Sequence, residues 1–360
     1  MKCRGMTALL AAALICMTGC SADQQSSVKE PDQTAAQTEP TTEPTAASTT
    51  EATTTETTAP PPEPYRFDPH VYSPKLAPEI PQKNWEAFYN LCDALRAGEF
   101  TFACADREAY DWATDPAVLG HLFPPACMKI TGESNDGTVP FENGVGRIYY
   151  NIPPGEYTQR QAEFEETVTG VLNSVLEPDD DDFEKCLKLY DYMESNFTYE
   201  LYPEGSTDGA HYYTLMNHRG VCDELSGVYV YYLLQAGVDA VQLGCFEPEM
   251  CHSWVYVILN GKGYHVDPTW ALKDSLETQK LRLEYFMMTD ARRTETGCPV
   301  TDLTAALLPC FWVNRSSLTF PADDDRYYMK DYSDFDSLDE QNKTVHYTDM
   351  YGESHEMCYG

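Results

Sequence analysis

The stretch GVCDELSGVYVYYLLQAGVDAVQLGCFEPEMCHSWVYVILNGKGYHVDPTW, Gly220 to Trp270, decides the fold of this chain. Gly220 interrupts the backbone just before Cys222. From Asp223 to Gln235 the residues Leu225, Val228, Tyr229, Tyr232 and Leu233 recur at helical spacing, with Gly237 as the stop. Cys222 is therefore expected at a helix N-terminus, where unpaired backbone N–H groups and the helix dipole favour thiolate over thiol. The same N–H groups suit a developing oxyanion. Downstream, Ser253 to Leu259 is rich in β-branched and aromatic residues, Asn260-Gly261 is a preferred type I′ hairpin pair, and Tyr264 to Asp267 reads as the return strand. Counting outward from that turn, Leu259 faces Lys262 and Trp254 faces Asp267. His252 then shares a sheet face with Asp267 as its diagonal neighbour, within reach of a side-chain hydrogen bond. A slip of one residue would break this pairing.

An aspartate accepting from one ring nitrogen fixes the imidazole tautomer and leaves the other nitrogen free to take a thiol proton. Plainer readings compete with this one. A cysteine on a helix is commonly a small buried hydrophobe, and the chain has 13 cysteines, so the position after Gly220, not the residue type, carries the case for Cys222. His265 shares the predicted face of Asp267 but lies in the middle of the hairpin opposite Tyr256, and reads as a structural histidine. Cys245, Cys251, His252 and His265 show no CxxC or HxxxH spacing, and neither a metal nor another cofactor is expected.

Gly220-Val221-Cys222-Asp223 opening a helix, Gly237-Val238 ending it, His252-Ser253-Trp254 opening a strand and Asp267-Pro268-Thr269-Trp270 closing the hairpin together resemble the transglutaminase-like superfamily, whose members share a papain-like fold. The resemblance runs from about Glu184 to Thr289. It implies an α+β, papain-like core with the catalytic helix packed on an antiparallel sheet. By position it makes Cys222 the nucleophile, His252 the base and Asp267 its orienter. It also implies a preceding helix that ends in a tyrosine, matched by Glu184 to Tyr199, and a segment packing back on the core, matched by Glu284 to Thr289. Tyr213, ahead of the cysteine loop, is pointed to as a substrate or oxyanion contact, and Trp254, beside His252, is a further candidate.

Outward from this core, residues 1–20 read as an export signal, with Lys2 and Arg4 before an apolar run, Thr7 to Met17, too short to span a membrane. Thr18-Gly19-Cys20 resembles a bacterial lipobox, which makes Cys20 the expected lipidation site and places the protein at the extracellular face of the cell membrane. Residues 21–64 are Thr, Glu, Ala, Pro and Gln with almost no large apolar side chain, an expected disordered spacer. Residues 65–157 read as an N-terminal α+β region. In it Trp85, Phe88, Leu91, Cys92 and Leu95 line one helix face, Phe100 to Cys104 forms a strand, a helix covers Pro116 to Leu122, and strands lie near Ala126 to Thr131 and Arg147 to Ile152. The transglutaminase-like domain is expected over 158–322. It begins with helices at Arg160 to Leu176 and Phe183 to Phe197, the second capped by the acids from Asp179 to Asp182. Leu201 to Arg219 reads as a long connection whose His211, Tyr212, Tyr213, Asn217 and His218 are candidate substrate contacts. Leu303 to Val313 is apolar enough to be buried, and 323–360 reads as an acidic C-terminal extension with a hairpin around His346 to Tyr359.

A formal net charge of −34 argues against nucleic acid and against electrostatic attachment to anionic lipid, which leaves the Cys20 lipid as the expected membrane anchor. The cysteines beyond the signal form no disulfide framework, and an exported chain rich in free thiols suits a reducing habitat. The chemistry expected is acyl transfer on a peptide or carboxamide, resolved by water or by an amine, with a protein or peptide as substrate. The alternative is a non-catalytic binding or scaffold module on the same fold.

Overall fold

Helix α1, Gln82–Arg96, buries Trp85, Phe88, Leu91, Cys92 and Leu95, the apolar face that sequence periodicity predicts. The structure, a computed structural model, describes residues 64–134, 137–201, 209–247, 250–272, 280–297, 304–305, 318–329 and 332–360. The signal, Cys20, almost all of the spacer and residues 306–313 lie outside the described residues. The chain divides into Met1–Pro61 and the unit Pro62–Gly360, to which everything below refers.

After α1 come β1 (Thr101–Ala103), α2 (Arg107–Ala113), α3 (Pro116–Leu122), β2 (Ile130–Thr131), β3 (Phe141–Glu142), β4 (Val145–Arg147) and β5 (Tyr149–Tyr150). The sequence reading does not contain α2. It starts where the Asp106 side chain accepts from the Ala109 N–H, an N-cap that its short apolar pattern does not advertise. The strand expected near Ala126 shrinks to β2 because Pro124–Ala126 forms a 3₁₀ turn. Helix α4 runs Pro154–Val175, six residues earlier than periodicity suggests, because Pro154 is admissible in a first helical turn. Helix α5, Asp182–Asn196, begins with a reciprocal capping box between Asp181 and Glu184.

The segment leading to Cys222 is not one long connection. It contains β6 (Thr198–Tyr199), α6 (Ala210–Asn217) and β7 (Arg219–Gly220), and the parallel pairing of β6 with β7 holds the chain immediately ahead of the cysteine. Helix α7 follows, Cys222–Gln235, buried without a break from Leu225 to Gln235, as expected of a helix apolar all round. Gly237 then turns the chain at φ 82° into β8 (Asp239–Glu247), β9 (Met250–Leu259) and β10 (Lys262–Val266).

The central sheet is antiparallel in the order β10-β9-β8-β11, with β11 at Thr304–Ala305. Asn260 and Gly261 take φ 52° and 75°, the left-handed pair a type I′ turn requires. The register then runs Leu259↔Lys262 to Val255↔Val266, as counted from the turn. Met288 pairs with His265 at the outer edge of β10, and the Asp267 N–H donates to Tyr285 O at 2.9 Å, so Glu284 to Thr289 does pack back on the hairpin. Helix α8, Asp290–Glu295, follows it.

Strands β12 (Asp334–Asp339), β13 (Thr344–Thr348) and β14 (Ser354–Cys358) form a three-stranded sheet, more structure than the hairpin expected of this end. It is docked on α5: Lys343 Nζ lies 2.8 Å from both oxygens of buried Glu184, and the Tyr359 hydroxyl donates to Glu184 Oε1 at 2.7 Å. One apolar cluster extends from Val71 through α7 to Tyr359, so the N-terminal α+β region and the C-terminal sheet share the core of the central domain.

Helix α7 meets the sheet closely at Gly227. A β-carbon there would come within 2.2 Å of the His211 ring and 3.1 Å of Gln242 Oε1. Gly227→Ala is expected to lower stability by roughly 1–3 kcal/mol, seen as a lower denaturant midpoint. An unchanged midpoint would mean that the ring moves aside at no cost.

Candidate active site

Cys222 is the first residue of α7 and half-buried. The turn before it is tight: a β-carbon on Gly220 would lie 2.6 Å from Thr214 Oγ1, which explains the glycine there. Glu224 Oε2 accepts from the Val221 N–H at 2.9 Å and closes the first turn. Asp223 is tied down from behind, since Gln242 Nε2 donates to its carbonyl at 2.8 Å and its Oδ1 at 2.9 Å, and Ser253 Oγ donates to the same Oδ1 at 3.2 Å. The Ser226 hydroxyl donates to Ser253 O at 3.0 Å, fixing α7 to the strand that carries His252.

The thiol is not the depressed one expected of a helix N-terminus. Burial pushes it up to about 12, and the carboxylates of Asp223, Asp267 and Glu224 add to the rise, against a backbone hydrogen bond from Ser253 that lowers it. Two acids in the first turn cancel the helix dipole at the position where it would have acted. Among the described residues no hydrogen bond joins Cys222 to His252. The resting group is therefore a thiol, and a thiolate must be made by proton transfer.

His252 is buried on β9. Its Nε2–H donates to Asp267 Oδ2 at 2.7 Å, which leaves Nδ1 as the free nitrogen. The ring stacks on Trp270 at 4.8 Å and 13° and lies parallel to Trp254 at 6.2 Å. Asp267 is fully buried, and all its acceptor sites are used. Asp267 caps the helical turn that starts at Pro268: Oδ1 accepts from the N–H groups of Thr269 at 3.1 Å and Trp270 at 3.0 Å. Oδ2 accepts from His252 and from Arg293 Nη1, each at 2.7 Å. Burial alone would raise this carboxyl, but the charges of His252 and Arg293 and the donated hydrogen bonds hold it well below the usual carboxylate range.

The sequence reading did not find Arg293. It is fully buried on α8, with its guanidinium carbon 4.3 Å from the Trp254 ring centre and 4.4 Å from that of Trp270. The one signal available was the pair Arg292-Arg293, two adjacent cations just past Glu284 to Thr289 in a chain with 24 Lys and Arg against 58 Asp and Glu. His265 is structural, as expected: its Nδ1 accepts from Trp254 Nε1 at 3.0 Å and its Nε2 meets Asp290 Oδ1 at 3.0 Å.

Several candidate contact residues are corrected by burial. Trp254 is fully buried with its N–H committed to His265, so it cannot touch a substrate and instead forms the wall behind His252. Tyr212 is buried and stacks on Phe164. His211 points inward, 4.4 Å from the ring of His121, whose Nε2 reaches Gln242 Oε1 at 3.2 Å; burial lowers the affinity of both imidazoles for a proton, that of His121 to about 4. His218 is half-buried and stacks on Phe197 at 4.4 Å, so burial does not remove it. Tyr213 is half-buried and Asn217 exposed, and they remain available. Among the described residues the group with metal-ligand geometry is Asp349, Glu353 and His355, within 4.8 Å of one another. Asp349 there already accepts from the N–H groups of Tyr351 and Glu353 and from His355, the bonding of a tight turn.

Burial also sets the alkaline limit of the fold. The thiols of Cys92 and Cys186 and the phenols of Tyr190, Tyr229, Tyr231 and Tyr232 are all pushed well up by burial. The folded chain holds these protons more tightly than the unfolded one. Their stabilisation is complete below the unfolded values, about 8.5 for Cys and 10 for Tyr, and is lost as pH rises above them. The denaturation temperature is expected to fall steadily from about pH 9 to 11. A flat profile over that range would contradict the burial.

Among the described residues no helix is long and apolar enough to cross a membrane. Comparison with known proteins bears on the central hairpin and its helices. Residues 169–268, from within α4 to one residue past Asp267, match the family model described as Transglutaminase-like superfamily. No curated protein matches the chain. Among solved structures, a "Putative Cysteine Protease from Cytophaga hutchinsonii" is similar at 15% identity over 31% of this chain and 38% of that one, with a TM-score of 0.24. A "Putative Protease from Parabacteroides distasonis ATCC 8503" is similar at 14% identity over 38% of this chain and 31% of that one, with a TM-score of 0.23. This chain thus spans about a third of the length of each.

Proposed function

We propose that this chain, whose residues 169–268 match the transglutaminase-like model, is a cysteine enzyme of acyl transfer on peptide or carboxamide bonds, with Cys222, His252 and Asp267 as its triad. The observation that carries the reading is the 2.7 Å bond from His252 Nε2 to buried Asp267, which leaves Nδ1 free on the strand whose next residue, Ser253, hydrogen-bonds Cys222. In this mechanism His252 Nδ1 takes the Cys222 proton as sulfur attacks the carbonyl carbon. The oxyanion that forms is stabilised by the Cys222 N–H at the start of α7, with Tyr213 as the second candidate donor. The imidazolium then protonates the departing amine, a thioester remains, and water or a second amine resolves it. Water makes the enzyme a peptidase or amidase, and an amine makes it a transglutaminase. Asp267 holds the imidazole tautomer throughout. We propose further that Cys20 carries a lipid that anchors the protein to the outer face of the cell membrane through the spacer 21–64. Radiolabelled palmitate incorporated by the wild type and not by Cys20→Ala would support this, and equal labelling would oppose it.

A second reading is a non-catalytic binding module. It is favoured by the raised thiol of Cys222 and by the missing hydrogen bond to His252. Incubating the full chain with a peptide mixture, with and without a primary amine, separates the two readings. Peptide cleavage, deamidation or amine incorporation that disappears in Cys222→Ala is expected of the enzyme. No turnover in either protein favours the module, and turnover that survives Cys222→Ala removes the cysteine from the mechanism.

A further inference from the structure

A fully buried arginine beside a candidate catalytic pair needs a physical reason, because burying a cation is costly unless it is paired and bonded. Arg293 is delivered by α8, a short helix fixed by two contacts at its N-terminal end. The Thr289 hydroxyl caps it by accepting from the Arg292 N–H at 3.2 Å, and Asp290 at its start meets His265 Nε2 at 3.0 Å. The guanidinium is then clamped between Trp254 and Trp270, 4.3 and 4.4 Å from their ring centres, the geometry of a desolvated cation–π contact on two faces. Its Nη1 reaches Asp267 Oδ2 at 2.7 Å, and among the described residues its Nε and Nη2 have no hydrogen-bond partner. All the polar bonding of this ion therefore goes to the one carboxylate oxygen that also accepts from His252.

We infer that Arg293 is the positioning residue of the His252–Asp267 pair, a flat cation that holds Oδ2 in line with His252 Nε2 and spaces the two tryptophans that stack beside the imidazole. The inference rests on the proposed Cys222–His252 reading and deepens it. Arginine suits the role because only a planar, always-charged group can stack on two rings while donating in their plane. Its charge has a second effect. Asp267 is faced by His252 from β9, Arg293 from α8, Cys222 from α7 and Tyr190 from α5, and His265 and Asp290 join the cluster through Trp254 and Arg293. With Arg293 in place the carboxylate is shared between a permanent cation and the imidazole. Without it, the full negative charge faces His252 and favours the imidazolium. Arg293 thus takes up part of the carboxylate charge that His252 would otherwise face alone.

The test uses the full chain labelled with ¹⁵N-histidine, following the His252 ring signal through a pH titration, together with the rate at which iodoacetamide alkylates Cys222, read by peptide mass. In Arg293→Met, the His252 midpoint is expected to rise by about one unit. A folded Arg293→Met with an unmoved midpoint overturns the inference, since a purely structural arginine would leave the titration of its neighbour alone. Should Arg293→Met fail to fold, Arg293→Lys decides. It keeps the charge and loses the planar fork, so the midpoint should stay near the wild-type value while Cys222 alkylation at neutral pH slows at least threefold. A Lys variant that matches the wild-type rate overturns the inference. Comparison with His252→Ala separates the two levels of argument. If Cys222 alkylation ignores His252, the catalytic reading itself has failed, whatever the Arg293 variants do to the titration.

Discussion

Asp267→Ala is expected to destabilise the fold more than any other single change at the site, by about 3–5 kcal/mol. The reason is what the substitution leaves behind. Arg293 is fully buried, and its bond to Asp267 Oδ2 at 2.7 Å is the ion pair that justifies its place there. Removing the carboxylate leaves a guanidinium between two tryptophan rings with no counter-charge, and it also uncaps the helical turn that begins at Pro268, whose Thr269 and Trp270 N–H groups bond Oδ1. Asp267→Asn should recover part of the cap and little of the ion-pair loss. Denaturant unfolding of the full chain checks both, with the alanine variant well below the asparagine variant and both below wild type. If Asp267→Ala unfolds within about 1 kcal/mol of wild type, the pair is not the buried, unscreened one described above. A direct consequence is that loss of activity in an Asp267 variant is uninterpretable until its stability has been measured.

His252→Ala is expected to do the reverse, lowering Cys222-dependent turnover by about 10²–10⁴-fold while leaving the protein folded. The thiol is pushed up to about 12, so at neutral pH it has almost no thiolate of its own, and the reaction depends on a base to remove its proton. Loss of His252 removes that base. It does not orphan Asp267, which keeps Arg293 and two backbone donors, so the stability cost is that of a hydrogen bond and some packing, roughly 1–2 kcal/mol. Initial rates of peptide turnover for wild type, His252→Ala and Cys222→Ala are the measurement. Equal rates for wild type and His252→Ala would remove the histidine from the mechanism. The contrast between the two substitutions is itself a check. Asp267 is expected to act on stability and chemistry together, His252 on chemistry almost alone.

The sequence alone determined the local features that depend on short-range chemistry. Asn260-Gly261 requires a two-residue turn with both residues left-handed, and that turn dictates the register which carries His252 to Asp267. The apolar periodicity after Gly220 sets α7 and puts Cys222 at its first position. Asp267-Pro268-Thr269-Trp270 is expected to close the hairpin; that Asp267 also caps the helical turn from Pro268 is seen only in the structure. Features without a periodic signature were lost: α2 is too short to show one, α6 lies in a stretch whose polar aromatics resemble a loop, and β8 carries a glycine and a cysteine where a strand pattern would show branched residues.

Tertiary structure alone decided the electrostatics. The helix N-terminus at Cys222 promised a lowered thiol, and burial together with Asp223, Asp267 and Glu224 reversed the sign, because a dipole worth a fraction of a charge cannot outweigh desolvation and three carboxylates. Trp254 is a candidate substrate contact in the sequence, yet the strand places it in the same buried row as His252, and its indole N–H is claimed by His265. Arg293 lies 26 residues beyond Asp267 in the chain and meets it through a helix that packs back over the hairpin. No local pattern encodes a contact of that span. Short-range rules act over a turn or a hairpin, whereas the charge a site feels is the sum of everything folded against it.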